Sequence, residues 1–316
     1  MNTASFWARV RGAACAAVLI AVVTTAASAQ QGGGRGGAPQ PLVVHQLKPN
    51  VYWVEGAGGN TGVIVGKNGV IVIDSKTSPA GGTELLADIA KITPKPVTTV
   101  LLTHSDGDHV NGLQSFPKGL TIIAQANDKT EMQAAPNAAA LADHMPTRTV
   151  TKNKEDMTIE GIKLSVFHYA PAHTSGDLMV YLPAEKIMFT GDIVATQSPY
   201  PLIHLEKNGT SDGWITTMNG LIKTSAATYV PGHGDVQTKA DLQKRLSDMT
   251  ARRTQIKALV AQGKSLDEVR QALNEPPPPA RGGGGAPAAG GGPGRGPLPN
   301  FQDFTGVIVA EQTKKS

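Results

Sequence analysis

The stretch LLTHSDGDHVNG, residues 101–112, places two histidines and two aspartates within six positions, directly after an apolar run. Side chains alternate along an extended segment, so His104, Asp106 and Asp108 can project together from a loop at the end of a strand. His109 joins them if the chain turns into a helix there. The spacing predicts a metal-binding loop, although polar residues after a strand are also common as plain turn and cap residues.

Three later segments favour the metal-binding interpretation, because each carries a donor next to an apolar strand. His173 lies in YAPAHTSGDLMVYLP, Asp192 ends KIMFTGD, and His233 lies between two glycines in YVPGHGD. Each donor would be delivered from the end of a strand. We therefore expect these three residues and the four of the first loop to meet at one rim of the fold.

The first half of the chain reads as a β-meander followed by alternating helices and strands. Residues 42–74 contain four short strand patterns, PLVVHQL, VYWVEG, TGVIVG and GVIVIDS, separated by Gly-Gly-Asn and Lys-Asn-Gly turns that suit hairpins. GTELLADIAKI has helical spacing. VTTVLLT is a β-branched apolar run, typical of a strand buried in a sheet between helices.

The second half repeats the order of strands and helices. The Ala-rich segment 126–145 is predicted to be helical, and strands follow around residues 157–169 and in DLMVYLP and KIMFTGD. Helices are expected from Ser211, from Thr238 towards Val260, and after the Ser265-x-x-Glu268 capping box. The double pattern predicts two sheets between outer helices.

These motifs in this order resemble the metallo-β-lactamase fold superfamily. Its loop motif is H-x-H-x-D-H, followed by a distant His, an Asp in a T-G-D segment and a His in P-G-H-G. The resemblance covers roughly residues 42–260. It implies an α/β fold of four layers, an αβ/βα sandwich, with metals at the edges of the sheets.

The resemblance also implies a binuclear centre with a defined set of donors. The first metal would be held by His104, Asp106 and His173, the second by Asp108, His109 and His233, and Asp192 would bridge them. Oxygen and nitrogen donors without sulfur suit two divalent metal ions, Zn²⁺ first, with Fe or Mn as alternatives. Structural roles are expected for the other histidines, His45, His144, His168 and His204. Of these, His204 could also meet substrate.

Asp106 departs from the family pattern, which usually has a histidine at that position. With two divalent cations, the three aspartates and a hydroxide would nearly neutralise the metals, so we expect a less acidic bound water and a higher pH optimum. A carboxylate also makes the site harder, and flavin-linked di-iron members of the superfamily are similar in placing a glutamate there, which favours iron. In a third interpretation Asp106 points away, and the first metal is weak or absent.

The main functional hypothesis is metal-dependent hydrolysis of a small molecule, in which a hydroxide held between two metals attacks the substrate and Asp108 orients it. The substrate classes are esters, lactones, thioesters and amide-like compounds. β-Lactams rank lower because the cysteine ligand of B1-type β-lactamases is missing, with Asp192 in its vicinity. One alternative is an iron-dependent oxidoreductase of the same fold, and another is a non-catalytic metal-binding protein. Specificity is expected in the loops around residues 56–60 and 196–210.

The ends of the chain predict export and flexible spacers. Residues 1–29 have two arginines before an apolar run and a small-x-small cleavage pattern, as in a secretory signal, so we expect a periplasmic or secreted protein without stable membrane insertion. Residues 30–41 and 276–300 are Gly/Pro-rich spacers around a domain at 42–275, and residues 301–316 form a short C-terminal segment.

Composition narrows the chemistry further. The only cysteine, Cys15, lies in the leader, which excludes disulfides, a Cys nucleophile and thiolate ligands from the mature chain. The net charge is +4 for the full chain, including Arg9 and Arg11 of the leader, and no basic cluster suggests a nucleic-acid partner. The oligomeric state is left open by the sequence.

Overall fold

The computed structural model describes residues 41–275 and 303–314, and it shows two mixed β-sheets. The first sheet has the strand order β1-β2-β3-β4-β5-β6-β7. Its first four strands form the predicted antiparallel meander, and β4 to β7 are parallel. The strands are β1 (Val43–Lys48), β2 (Val51–Glu55), β3 (Thr61–Val65), β4 (Val70–Ile73), β5 (Val97–Leu101), β6 (Thr121–Gln125) and β7 (Arg148–Val150).

The second sheet has the order β13-β12-β11-β10-β9-β8. All its neighbouring strands are antiparallel except β11 and β12, which run parallel and therefore end at the same edge. The strands are β8 (Lys154–Ile159), β9 (Ile162–Phe167), β10 (Met179–Leu182), β11 (Ile187–Phe189), β12 (Thr228–Val230) and β13 (Gln237–Thr238).

The helices begin where capping residues are present. Ser78 and Thr210 cap α1 and α4, and a complete capping box opens α5 at Thr238. The capping box predicted at Ser265 opens α6. The helices are α1 (Pro79–Ile92), α2 (Gly107–Val110), α3 (Ala126–Ala134), α4 (Ser211–Lys223), α5 (Lys239–Ala261), α6 (Leu266–Ala272) and α7 (Phe304–Thr313).

Three apolar clusters show the layering. The central cluster joins the facing sides of the two sheets, for example Trp53 and Leu101 of one with Val180 and Phe189 of the other. A second cluster packs α1 and α3 on the outer face of the first sheet, and a third packs α4 to α7 on the outer face of the second. The fold is therefore the expected four-layer αβ/βα sandwich, in which strands such as β4 are buried on both faces.

The structure corrects one predicted helix. The segment 126–145 is helical only to Ala134, and a separate 3-10 helix covers Ala138–His144. Pro136 explains the break, because proline lacks a donor for the helix and disfavours helical geometry at the preceding residue, Ala135, which is extended.

The C-terminal segment, to which the sequence analysis assigned no structure, contains α7. Its buried residues Phe304, Val307 and Ile308 join the outer cluster formed by α4, α5 and α6. Among the described residues, no helix combines the length and hydropathy needed to cross a bilayer. The predicted leader, 1–29, and the two spacers, 30–41 and 276–300, lie outside the described residues apart from position 41.

Candidate metal centre

All seven predicted donors lie at one edge of the sandwich, where strands of both sheets end. The loop after β5 and the short helix α2 carry four of them, and the loop between β9 and β10 carries His173. Asp192 lies in a 3-10 turn directly after β11, and His233 follows β12. Since β11 and β12 are parallel, their ends bring these two residues to the same edge.

The first donor group consists of His104, Asp106 and His173. The Nε2 atoms of His104 and His173 lie 3.7 Å and 3.3 Å from Asp106 Oδ2. All three donor atoms lie within 4.8 Å of one another, a separation at which they could hold one ion. The carboxylate at position 106 therefore points towards its group and not away from it.

The second donor group consists of Asp108, His109 and His233. His233 Nε2 lies 3.1 Å from Asp108 Oδ2 and 3.3 Å from His109 Nε2. His109 Nε2 is 3.9 Å from Asp108 Oδ2, so these three donor atoms also lie within 4.8 Å of one another.

Asp192 lies between the two groups. Its Oδ1 is 3.3 Å from His109 Nε2, and its Oδ2 is 3.5 Å from His233 Nε2 and 3.9 Å from His173 Nε2. The side chain is 5% exposed. This placement is compatible with the bridging role that the family resemblance implies for Asp192.

The hydrogen bonds around the histidines leave their Nε2 atoms for an ion. His109 Nδ1 lies 2.8 Å from Asp74 Oδ2, and His173 Nδ1 lies 2.9 Å from the Leu202 carbonyl. His104 Nδ1 lies 2.9 Å from Thr103 Oγ1, whose hydroxyl in turn donates to Asp74. Each Nδ1–H is thus satisfied, which fixes the tautomer and the ring orientation as partners of metal-ligating histidines do.

Two buried donor atoms test whether this centre fits a metal. His104 Nε2 and Asp192 Oδ1 have no hydrogen-bond partner among the described residues. Leaving such atoms unpaired is costly, and a cation between the groups would satisfy both. The donor set of nitrogen and carboxylate oxygen therefore fits divalent metals of the zinc type.

The carboxylates of the centre and His104 have charge states that suit a cation. Burial raises the pKa of Asp108, but the hydrogen bond from His233 and the nearby His109 outweigh it and hold that pKa at about 2. The pKa of Asp192 is likewise held below its ordinary range against burial, chiefly by His109. Burial and the neighbouring imidazoles lower the pKa of His104 well below its ordinary value. Ionised carboxylates and a neutral imidazole are the ligand forms that metals bind. Burial lowers the pKa of His109 and His173, but Asp192 and Asp106 outweigh it and raise both, that of His173 to about 9, so these two imidazoles would release protons when a metal binds.

The glycine-rich loop at residues 56–60, called the glycine loop below, packs against the second group. A Cβ atom on Gly59 would lie 2.2 Å to 2.6 Å from three ring atoms of His109, and one on Gly232 would lie 1.9 Å from Asp192 Oδ1. Only glycine lets the backbone approach the donors so closely. The loop at residues 56–60 therefore lies against the centre, where the sequence predicts a specificity loop.

Lys207 and His204 are the neighbours of Asp106 that the motifs do not mark. Lys207 Nζ donates to Asp106 Oδ1 and, at 2.9 Å, to Ser105 Oγ. His204 Nε2 lies 3.2 Å from Asp106 Oδ2, while its Nδ1 lies 2.5 Å from Glu206 Oε1. Their position in the 196–210 loop was the only signal in the sequence.

The remaining histidines have structural surroundings, as expected. His45 stacks on Trp53 with ring centroids 4.1 Å apart. His144 Nε2 and His168 Nδ1 lie 3.0 Å and 2.9 Å from backbone carbonyls. None of these three belongs to a donor group among the described residues.

Comparisons with known proteins agree with this architecture. The family model of the metallo-beta-lactamase superfamily matches residues 54–233. The alpha subunit of 2,4-dinitroanisole O-demethylase from Nocardioides sp. is 26% identical over 61% of this chain and 57% of that protein. The type 2 metallo-beta-lactamase of Bacillus cereus is 27% identical over 62% of this chain and 77% of that protein.

A solved structure shares the fold at low identity. The stereoselective inverting sec-alkylsulfatase Pisa1 from Pseudomonas sp. superposes with a TM-score of 0.64 at 17% identity, covering 75% of this chain and 46% of that one. The chain thus spans little more than half of the demethylase subunit and less than half of the sulfatase.

Proposed function

Because the chain belongs to the metallo-beta-lactamase superfamily, we propose that it is a metallo-hydrolase with two divalent metal ions, for which zinc is the first choice. The observation that carries the proposal is the pair of donor groups with Asp192 between them. His104, Asp106 and His173 would hold one ion, and Asp108, His109 and His233 the other. Bound metals would supply Lewis acidity, which makes water a nucleophile near neutral pH and stabilises the negative charge that develops on the substrate.

The chain's own residues would orient the water and hold the donors. Asp108 is the most accessible carboxylate of the centre, with 35% of its side chain exposed against 5% for Asp192. Burial raises the pKa of Asp108, but His233 and His109 lower it to about 2, so the carboxylate is ionised at neutral pH. It is therefore a hydrogen-bond acceptor that can align an incoming water, but it is a weak base.

The substrate is proposed as a small ester, lactone, thioester or amide-like molecule, with β-lactams ranked below esters and lactones. The relatives named above have different names and activities, so the fold does not choose among these classes. The cysteine ligand of B1-type β-lactamases is missing, with Asp192 in its vicinity, and this supports the ranking.

An iron-dependent oxidoreductase is the second candidate, and Asp106 favours it. A carboxylate that faces two imidazoles of the first group adds a hard oxygen donor, which suits iron better than a third imidazole would. Metal analysis of protein produced without added zinc separates the candidates. Iron with oxygen consumption supports this one, and zinc with hydrolysis contradicts it.

Alanine at His109 or asparagine at Asp108 tests the assignment directly. Each variant should lose at least about a hundredfold in kcat/KM against the responsive member of an ester, lactone, phosphodiester and cephalosporin panel. Circular dichroism should stay native-like. His45→Ala, at a histidine outside the donor groups, is the control and should keep its activity. Wild-type activity in both site variants would contradict the proposal.

Export is proposed separately, because the leader lies outside the described residues. The two arginines, the apolar run and the small-x-small pattern in residues 1–29 support cleavage after Ala29 and a periplasmic or secreted location. N-terminal sequencing of the protein recovered from the periplasm or the medium should begin at Gln30. An intact Met1 end in the cytoplasmic fraction would contradict this.

A further inference from the structure

The carboxylate of Asp106 has separate partners for its two oxygens. Oδ1 accepts a hydrogen bond from the Lys207 ammonium. Oδ2 faces Nε2 of His104, His173 and His204 at 3.7 Å, 3.3 Å and 3.2 Å. The oxygen that faces the first donor group is therefore not the oxygen that binds the lysine.

A network on α3 and its neighbouring loops keeps Lys207 in place. The ammonium also donates to Ser105 Oγ, and Ser105 donates to Glu131 on α3. Ser175 donates to the other oxygen of Glu131 at 2.7 Å. Lys207 is thus tied to the loop that precedes Asp106, and only 26% of its side chain is exposed.

The ammonium forms an ion pair in this position. Lys207 Nζ lies against Asp106 Oδ1, and a lysine in contact with a carboxylate is protonated at neutral pH. A permanent positive charge therefore lies next to the one donor that departs from the family pattern.

We infer that Lys207 is the charge partner and positioning residue of Asp106: it cancels the negative charge by which an aspartate differs from a neutral histidine, and it leaves Oδ2 to face the first donor group. The inference rests on the proposed metal centre and deepens it. The charge balance drawn from the sequence left out this ammonium. With it, the first group has the same total charge as a group with histidine at position 106, so the departure does not by itself make the centre less positive.

Removal of the ammonium should change metal binding in a way that depends on Asp106. In Lys207→Met the carboxylate is left uncompensated beside the ion, so Zn²⁺ should bind to the metal-free protein on the order of tenfold more tightly at the first group. The metal-free variant should also melt at a lower temperature than the wild type, because a partly buried carboxylate has lost its counter-charge. Lys207→Arg keeps the charge and should retain near-wild-type affinity.

The same substitution in an Asp106→His background is the matched control. There no carboxylate holds the ammonium beside the first group, so Lys207→Met should leave zinc affinity unchanged or raise it by much less than in the Asp106 protein. Isothermal titration of metal-free protein with Zn²⁺, together with melting curves with and without zinc, measures all five proteins. A lysine that served only to support Ser105 would change the melting temperature equally in both backgrounds and would not change zinc affinity.

Three outcomes would overturn the inference: unchanged zinc affinity in Lys207→Met, weaker affinity, or an equal change in both backgrounds. These outcomes are distinct from a failure of the proposed function. If wild-type protein binds no zinc, the metal centre itself is contradicted. If it binds zinc but hydrolyses nothing in the substrate panel, the hydrolase proposal is contradicted and the titration still decides the role of Lys207.

Discussion

The two donor groups of the centre are held by different means. The second group is fixed by backbone contacts from the loop at residues 56–60. Gly59 N–H donates to the Asp108 carbonyl at 3.1 Å, and Asn60 N–H donates to the Gly232 carbonyl at 2.6 Å. The Asn60 side-chain amide donates to the carbonyls of Pro231 and Gly234 on either side of the His233 segment. One short loop thus joins both segments that carry the second group.

In the first group, Asp106 is contacted by side chains from the 196–210 loop. Lys207 and His204 contact Asp106, and the Leu202 carbonyl accepts from His173. That loop is in turn held by the C-terminal helix. Phe304 stacks on Tyr200 with planes 8° apart. Glu311 accepts hydrogen bonds from the backbone and hydroxyl of Ser211 at the end of the loop.

The difference shows how tolerance is distributed over the centre. A group positioned by close backbone contact admits no added atom, because neither the loop nor the ring beneath it can move without breaking several hydrogen bonds. In a group positioned by long charged side chains, a single substitution can remove one charge and leave the other contacts in place. We therefore expect the largest effects from substitutions around the second group.

Among the substitutions that test this comparison, Gly59→Ala should have the largest effect on stability and activity. Its Cβ would lie 2.2 Å from His109 Cε1, so the loop or the ring must move. We expect a loss of about 1–3 kcal/mol of unfolding free energy or more, measured by urea denaturation, together with most of the hydrolytic activity. Gly107→Ala is the control, because its Cβ meets the flexible end of Asn111 at 2.7 Å. Equal stability and activity in the two variants would contradict the rigidity of this half.

Lys76→Met should weaken the same loop from beneath. The fully buried Nζ of Lys76 donates to the carbonyls of Val54 and Gly59 at 2.7 Å and 2.9 Å. A methionine fills the space but leaves both carbonyls without this donor, so we expect a loss of about 1–3 kcal/mol at pH 9.5. The exposed Lys67→Met should change the unfolding free energy little.

The effect of Lys76 should also depend on pH. Burial lowers its pKa from 10.5 to about 7, against the opposing charges of Asp74, Glu55 and Glu84. Between those values the unfolded chain binds more protons than the folded chain, so this lysine makes the protein more stable as pH rises. The stability difference between wild type and Lys76→Met should grow by at most about 1.4 kcal/mol per pH unit from pH 7 towards 10. A constant difference would show that the lysine keeps an ordinary pKa.

Glu311→Gln should have the smallest effect, and only on the first group. The amide keeps an acceptor for Ser211 but loses the charge that strengthens both hydrogen bonds. We expect a loss of about 0.5–1.5 kcal/mol in unfolding free energy and slightly weaker binding of one of the two zinc ions. Asp267→Asn, an exposed acid on α6, is the control. If both zinc ions bound more weakly, α7 would support the whole centre and not the loop alone.

The sequence alone determined the strands of the meander, the capped helices and the residues that lie together in the two groups. The reason is that these features are local. Hydrophobic alternation marks β1 to β4, capping residues mark α5 and α6, and donors that follow apolar strands must emerge at a sheet edge. The helix predicted for 126–145 was wrong in its extent because Pro136 outweighs the alanine content around it.

Only the tertiary structure decided what balances Asp106, what supports the glycine loop and where the C-terminal helix packs. Asp106 and Lys207 are 101 residues apart, and Glu311 and Ser211 are 100 apart. No periodicity or spacing marks such pairs, because the sequence around a loop lysine is the same whether its side chain lies in solvent or against a partly buried carboxylate. Electrostatic compensation depends on distance and burial, and both are set by how the two sheets pack together.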